Sequence, residues 1–195
     1  ISVPEEFIVE LVAAEPLVVD PVAMAFDERG DLFVVEYRDY PLGSSDPKRP
    51  HLSRIKKLRD IDGDGVMDEA AVFADGLPWC QGVMAWESGV LATVEHALIY
   101  LEDADGDGVA EVRRDVLLGL GKANPQLEPA FPTLGRDGWI YLTNGLSGGK
   151  VSHARTPADA VELGTADLRW APETLDIQPC NGPGQFGQSF DDWGN

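Results

Sequence analysis

Apolar and polar positions alternate along the chain in short runs, with the period of strands. Val22-Ala23-Met24-Ala25-Phe26 runs through a turn at 27–31 into Leu32-Phe33-Val34-Val35-Glu36-Tyr37. Gly82 to Trp86 runs through Glu87-Ser88-Gly89 into Val90-Leu91-Ala92-Thr93-Val94. Pro132-Thr133-Leu134 runs through Arg136-Asp137-Gly138 into Trp139-Ile140-Tyr141-Leu142-Thr143. Each stretch is a short strand, a Gly-containing turn and a β-rich strand, which is the pattern of a hairpin. Helical periodicity shows only near Thr156–Leu163, where Pro157 fits the start of a helix.

A second repeat interleaves with the hairpins. Leu58-Arg59-Asp60-Ile61-Asp62-Gly63-Asp64-Gly65-Val66-Met67-Asp68 reads against Leu101-Glu102-Asp103-Ala104-Asp105-Gly106-Asp107-Gly108-Val109-Ala110-Glu111, and the same offset relates Gly76-Leu77 to Gly119-Leu120. A whole supersecondary unit therefore recurs: two hairpin strands, a third strand, an Asp-rich loop and a fourth strand. In the second unit these are Val83–Trp86, Val90–Val94, Ala97–Glu102, the loop, and Val112–Leu118. Four antiparallel strands recurring every roughly 40 to 50 residues predict an all-β fold, a β-propeller. The approximate units are 16–80, 81–130 and 131–186, with the start of a further blade at 187–195. Propellers have about four to eight blades, so about three predict a single incomplete domain: a fragment, or an arc completed by another chain.

Composition narrows the partners. Hydrophobic residues make up 44% of the 195, which excludes a disordered chain, and no apolar run reaches the roughly 20 residues that span a bilayer. Ile1-Ser2-Val3-Pro4 has neither the charged nor the apolar region of a signal peptide. A formal charge of −19 repels nucleic acid and anionic membranes. Cys80 and Cys180 stand too far apart for a CxxC motif. They either close a disulfide, worth about 4 to 5 kcal/mol in the chain-entropy treatment, or remain two separately buried thiols.

Much of the acid sits in the two loops. Asp60, Asp62, Asp64 and Asp68 fall at loop positions 1, 3, 5 and 9, with Gly65 at position 6; Asp103, Asp105, Asp107 and Glu111 repeat the pattern around Gly108. Ca2+ takes several oxygen ligands at roughly 2.3 to 2.6 Å. Alternate side chains curling about one point supply them, and Val66 or Val109 adds a backbone carbonyl. EF-hands are excluded: position 12 is Ala71 or Arg114 instead of a bidentate Glu, and the flanks are strands. The expected role of the calcium is structural, because these loops lie away from a central channel. The alternative is a pair of solvated acidic turns.

Pro16-Leu17-Val18-Val19-Asp20-Pro21, Val35-Glu36-Tyr37-Arg38-Asp39-Tyr40-Pro41, Asp62-Gly63-Asp64-Gly65 and the run from Gly184 to Gly194 resemble the propeller of the "membrane-bound dehydrogenases" of planctomycetes and verrucomicrobia. That group is often joined to a C-terminal cytochrome c module, and it is similar to the soluble quinoprotein glucose and sorbosone dehydrogenases. The resemblance covers essentially the whole chain. It implies export to an extracytoplasmic (periplasmic or secreted) location, six blades, pyrroloquinoline quinone (PQQ) as cofactor, oxidation of a sugar or aldehyde, and a cytochrome c partner. It also implies a His general base eight residues before the Gly of a G-x-D-G-x-x-Y stretch, here Gly135 to Tyr141. The matching position is Leu127, which cannot abstract a proton, with Glu128 beside it.

Other candidates compete with plain structural roles. Arg38 and Asp39 either face the channel, where Arg binds a quinone carboxylate, or form a structural ion pair. Glu128 either replaces the missing base or faces solvent from a loop. His51, His96 and His153 share no spacing and are expected at the surface; Trp139 and Trp193 are expected as core aromatics. The glycine-rich run Gly145 to Gly149 with Ser147 lacks the Lys-Ser/Thr pair of a phosphate loop and reads as a connection. Two functions remain: a quinone-dependent sugar or aldehyde dehydrogenase-like propeller, or a non-catalytic, calcium-stabilised propeller that binds polysaccharide or protein.

Overall fold

The computed structural model describes residues 2–121, 126–180 and 182–194. Among these there is no helix, and 14 strands form three sheets. Sheet one is a meander of β1 (Pro21–Phe26), β2 (Leu32–Glu36), β3 (Ser53–Arg59) and β4 (Glu69–Leu77). Sheet two begins the same way with β5 (Gly82–Trp86), β6 (Gly89–Val94), β7 (Ala97–Glu102) and β8 (Val112–Leu120). Sheet three is built from β9 (Ala130–Leu134), β10 (Ile140–Thr143), β13 (Asp167–Trp170) and β14 (Ile177–Cys180). The first strands β1, β5 and β9 lie next to one another, so the sheets fan out from a common hub. This is the all-β propeller arrangement expected from the repeats.

Apolar alternation explains the fan. On β2, Phe33 and Val35 point into a core shared with Val90, Ala92 and Ile99 of sheet two. Leu32 and Val34 point the other way, against Val18, Leu58 and Met67. The residues of β6 are buried along its whole length. Both of its faces are covered: Val90, Ala92 and Val94 meet sheet one, and Leu91 joins Ile140, Leu142 and Trp170 of sheet three. A strand covered on both faces reads as a nearly continuous apolar run, as Val90 to Val94 does apart from Thr93.

Two expectations change. No helix forms at 156–163; the stretch turns through Thr156 and Asp159 and ends in a short strand, β12 (Val161–Glu162). With β11 (Gly149–His153) it forms a hairpin that pairs with β8 and extends sheet two to six strands. The free edge of β8 offers backbone partners, and occupying it outweighs a weak local helical pattern. The cysteines are free thiols, Cys80 in the core between sheets one and two and Cys180 on β14 of sheet three. Burial pushes the Cys80 thiol up to about 12.

Candidate functional site

In a meander, connections alternate between the two ends of a sheet. The β2–β3, β4–β5 and β8–β9 connections therefore meet at one end of the fan, and both Asp-rich loops lie at the other. At the first end a cavity of about 460 Å3 opens beside the hub. Its walls are Tyr37, Tyr40, Phe131 and Phe186 with Val22 and Ala130, and its polar groups are the amides of Gln81 and Gln126. Tyr37 and Tyr40 stack with ring centroids 6.0 Å apart and planes 17° from parallel. Gln81 donates to the Tyr37 hydroxyl at 2.8 Å and Gln126 to the Tyr40 hydroxyl at 2.6 Å.

Asp39 organises this end. Its buried carboxylate accepts the N–H groups of Leu52 at 2.8 Å, Ser53 at 3.0 Å and Trp79 at 3.3 Å, and the Ser53 hydroxyl at 2.6 Å. Arg38 is exposed, and no ion pair joins it to Asp39 among the described residues. The ion-pair reading gives way to a loop-organising role for Asp39, because backbone donors from two connections satisfy the carboxylate. Trp79, which this network helps hold, and Phe131 have φ of 47° and 51°. Such backbone costs about 1 to 3 kcal/mol for a bulky residue and persists only where its surroundings impose it.

Glu128 is not a solvent-facing carboxylate. It is 2% exposed, and the chain is folded over it: a side chain at Gly145, φ +66°, would come within 2.4 Å of the Leu127 and Glu128 carbonyl oxygens. Glu128 and Asp39 are both close enough to Tyr37 to act on its ionisation. Burial, opposed by the Gln81 hydrogen bond and reinforced by these two acids, raises the Tyr37 phenol well above its usual value. Asp39 and Glu128 thus both act on the same phenol, and Leu127, next to Glu128 in the chain, is half-buried. No local signal in the sequence marks Glu128 as buried, because the glycine-rich loop that covers it comes from elsewhere in the chain.

The Asp-rich loops fold alike. Asp60 accepts the N–H groups of Gly63 at 2.7 Å and Gly65 at 2.8 Å; Asp103 accepts those of Gly106 and Gly108 at the same distances. Gly65 and Gly108 both have φ of +92°, which a side chain would strain. The Gly65 N–H, first among several backbone donors, holds the Asp60 carboxyl below the usual range. Carboxylate oxygens of Asp103, Asp105, Asp107 and Glu111 lie within 4.8 Å of one another, as do those of Asp60, Asp62 and Asp68. A shell of ligands about Ca2+ has that spread, given bonds of roughly 2.3 to 2.6 Å. Asp64 stands outside its cluster and accepts the Val66 N–H at 2.8 Å; Val66 and Val109 are exposed.

The other expected surface and core residues divide. His153 is buried, 6% exposed and stacked on Trp170; its position two residues after buried Val151, on the same strand face, was the available signal. Trp193 is 83% exposed, and Trp139 is half-buried under the Arg169 guanidinium at 4.4 Å. Neither is a core residue: the C-terminal segment reaches the outer face of sheet three, where Phe190 packs on Tyr141 at 4.9 Å, but it leaves neither tryptophan fully covered.

The family described as "Domain of unknown function (DUF7133)" matches residues 1–195. The chain belongs to that family. No curated protein matches it. Among solved structures it is similar to the holo form of the PQQ domain of pyranose dehydrogenase from Coprinopsis cinerea, with a TM-score of 0.55 and 14% identity over 90% of this chain. The chain spans 37% of that neighbour's length. At this identity the likeness establishes the fold, and it agrees at that level with the resemblance to quinoprotein dehydrogenases.

Proposed function

We propose that this DUF7133 chain is part of a quinone-dependent, dehydrogenase-like propeller whose hub-end cavity takes a flat quinone of the PQQ class. The observation that carries the reading is the cavity itself: about 460 Å3, aromatic-walled, and set at the hub end of a fold shared with a PQQ domain. Its volume lies within the ~300 to 1,000 Å3 of small-molecule sites. Tyr37, Tyr40, Phe131 and Phe186 offer ring faces, and Gln81 and Gln126 offer amides for the quinone oxygens. The described lining supplies no cation for the carboxylates of PQQ, so Arg38, exposed at the same end, is their partner in this reading. When bound, such a quinone accepts two electrons and two protons from an alcohol or aldehyde. Glu128 does not line the cavity but its charge acts on Tyr37 of the lining, and in this reading it would replace the His base that Leu127 displaces and hold the proton taken from the substrate hydroxyl.

Calcium in the two Asp-rich loops is structural in this account, with Asp60, Asp62 and Asp68 in one loop and Asp103, Asp105, Asp107 and Glu111 in the other. The structural loops lie at the end away from the cavity, which supports that division. A small sugar or aldehyde substrate, an extracytoplasmic setting and a cytochrome c partner complete the proposal. No helix of the described residues is long and apolar enough to cross a membrane.

Leu127 favours a second reading, a calcium-stabilised propeller that binds polysaccharide or protein without chemistry. A panel of sugars and aldehydes, presented to the full chain loaded with PQQ in excess calcium, separates the two. Reduction of the quinone by one substrate, slowed about 100-fold or more in Glu128→Gln with quinone binding intact, supports the dehydrogenase. Bound quinone that no substrate reduces, or reduction indifferent to Glu128→Gln, overturns the catalytic part.

A further inference from the structure

A smaller cavity, of about 150 Å3, lies in the seam between sheets two and three. It opens between the β5–β6 and β13–β14 turns, at the end of the fan opposite the hub-end cavity. Six strands build its walls, with Trp86 of β5, Tyr100 of β7, His153 of β11 and Trp170 of β13 as the aromatic part and Leu91 of β6 and Val116 of β8 between them. It exists because the β11–β12 hairpin is grafted onto β8 and carries His153 over the seam.

The lining is rigid. His153 stacks on Trp170 at 5.9 Å and 29°, and its Nδ1 accepts the Arg155 N–H at 3.0 Å, which leaves the ring proton on Nε2. Burial, helped by the Arg155 charge, lowers the His153 pKa, so the ring is a neutral donor. Trp170 is 4% exposed, and its buried Nε1–H has no acceptor among the described residues. At the mouth, Arg114 lies 4.3 Å over the Tyr100 ring and 3.9 Å from Glu87. Arg155 and Asp115 complete the mouth.

This chemistry selects a ligand class. The lining carries two arginines and the two carboxylates of Glu87 and Asp115, so the formal charges cancel and neither an anion nor a cation gains net attraction. Donors on Arg114 and Arg155 and acceptors on Glu87 and Asp115 nevertheless line the cavity together with half-buried Trp86. A sugar hydroxyl both donates and accepts, and the C–H face of a pyranose suits an aromatic wall. The volume equals the share of about five waters, enough for one edge of a ring whose remainder projects through the mouth. We propose that the seam between sheets two and three is a binding subsite for a neutral sugar, held by Trp86, Arg155, Asp115 and Glu87. It does not depend on the hub-end cavity, and it binds without reacting.

The test titrates the full chain with methyl glucoside, methyl galactoside, methyl mannoside and xylotriose, read by saturation-transfer NMR and tryptophan fluorescence. Sulfate and glucuronate serve as charged probes. Saturable binding of at least one neutral sugar is expected, weakened about tenfold or more in both Trp86→Ala and Arg155→Ala, and unchanged in Tyr37→Ala. Arg155 is exposed, so its variant keeps the fold if Trp86→Ala does not. The proposal is overturned if no neutral sugar saturates, if only the charged probes bind, or if binding survives Arg155→Ala undiminished.

Discussion

Glu36 closes β2 with its side chain wholly buried, and donors from three directions converge on it. Arg54 Nε donates at 2.5 Å, the Val19 N–H at 3.0 Å, and Lys56 Nζ lies at 3.3 Å while donating to the Leu17 carbonyl at 2.6 Å. The cluster staples the segment before β1 onto sheet one. Burial opposes the charge, but the Arg54 and Val19 hydrogen bonds and the two cations outweigh it and hold the Glu36 carboxyl below its usual value. Its contribution to stability is therefore complete above about pH 4.5, the ordinary Glu range, and is lost as pH falls through the depressed native value. Glu36→Gln is expected to cost about 3 kcal/mol at pH 7, because it leaves buried cations uncompensated. Thermal melts from pH 7 to 3 should show the gap between wild type and variant closing only below about pH 4; a gap constant across that range contradicts the cluster's role. Residues such as Glu36 and Glu128 were illegible in the sequence, since a carboxylate on a strand end or loop looks solvent-facing until the groups that bury it are in place.

At the scale of elements, the second Asp-rich loop joins two sheets. Ala110 at its end donates its N–H to the Phe73 carbonyl of β4 at 2.8 Å and packs against the core between sheets one and two. The first loop reaches the N-terminal segment in the same manner, through the Met67 N–H and the Val12 carbonyl at 2.8 Å. Ca2+ bound in either loop would thus stabilise a seam as well as a turn. Calorimetric titration should give two Ca2+ per chain, and Glu111→Gln should remove one of them. Calcium at 100 times its dissociation constant adds about 2.7 kcal/mol per site, so EGTA should lower the melting temperature, and by less in the variant. No heat of binding, with melting indifferent to EGTA, would leave solvated acidic turns. Gly65→Ala or Gly108→Ala should destabilise by about 1 kcal/mol even without calcium, since each glycine holds a φ of +92°. The hairpins and these loops were legible because their signals are local: alternation, a turn glycine, carboxylates at fixed spacing. The β11–β12 graft was not, because its partner, the free edge of β8, is distant in sequence.

The whole molecule is an arc of sheets whose faces are not equally covered. Sheet two is enclosed on both sides, whereas sheet one exposes Val22, Met24 and Phe26 on β1. A groove of about 650 Å3 runs there between β1 and the segment around Val12, with Phe131 at one end. Apolar surface of this kind promotes association. Residues 1–195 produced alone should bind a hydrophobic dye such as anilinonaphthalene sulfonate, and Met24→Lys should reduce the signal at least twofold; dye binding unchanged by the substitution would place the exposed surface elsewhere. The fan itself was legible from repeated units. The course of each connection was not, and these connections build the hub-end cavity from Tyr37, Gln81 and Gln126. That cavity carries the central claim, and its most direct test is an equilibrium titration of the full chain with PQQ in excess calcium, followed by the quinone's absorbance. The account predicts saturable one-to-one binding that Tyr37→Ala and Gln81→Ala each weaken by about tenfold or more. Absence of saturable binding, or binding that both variants leave unchanged, would contradict it.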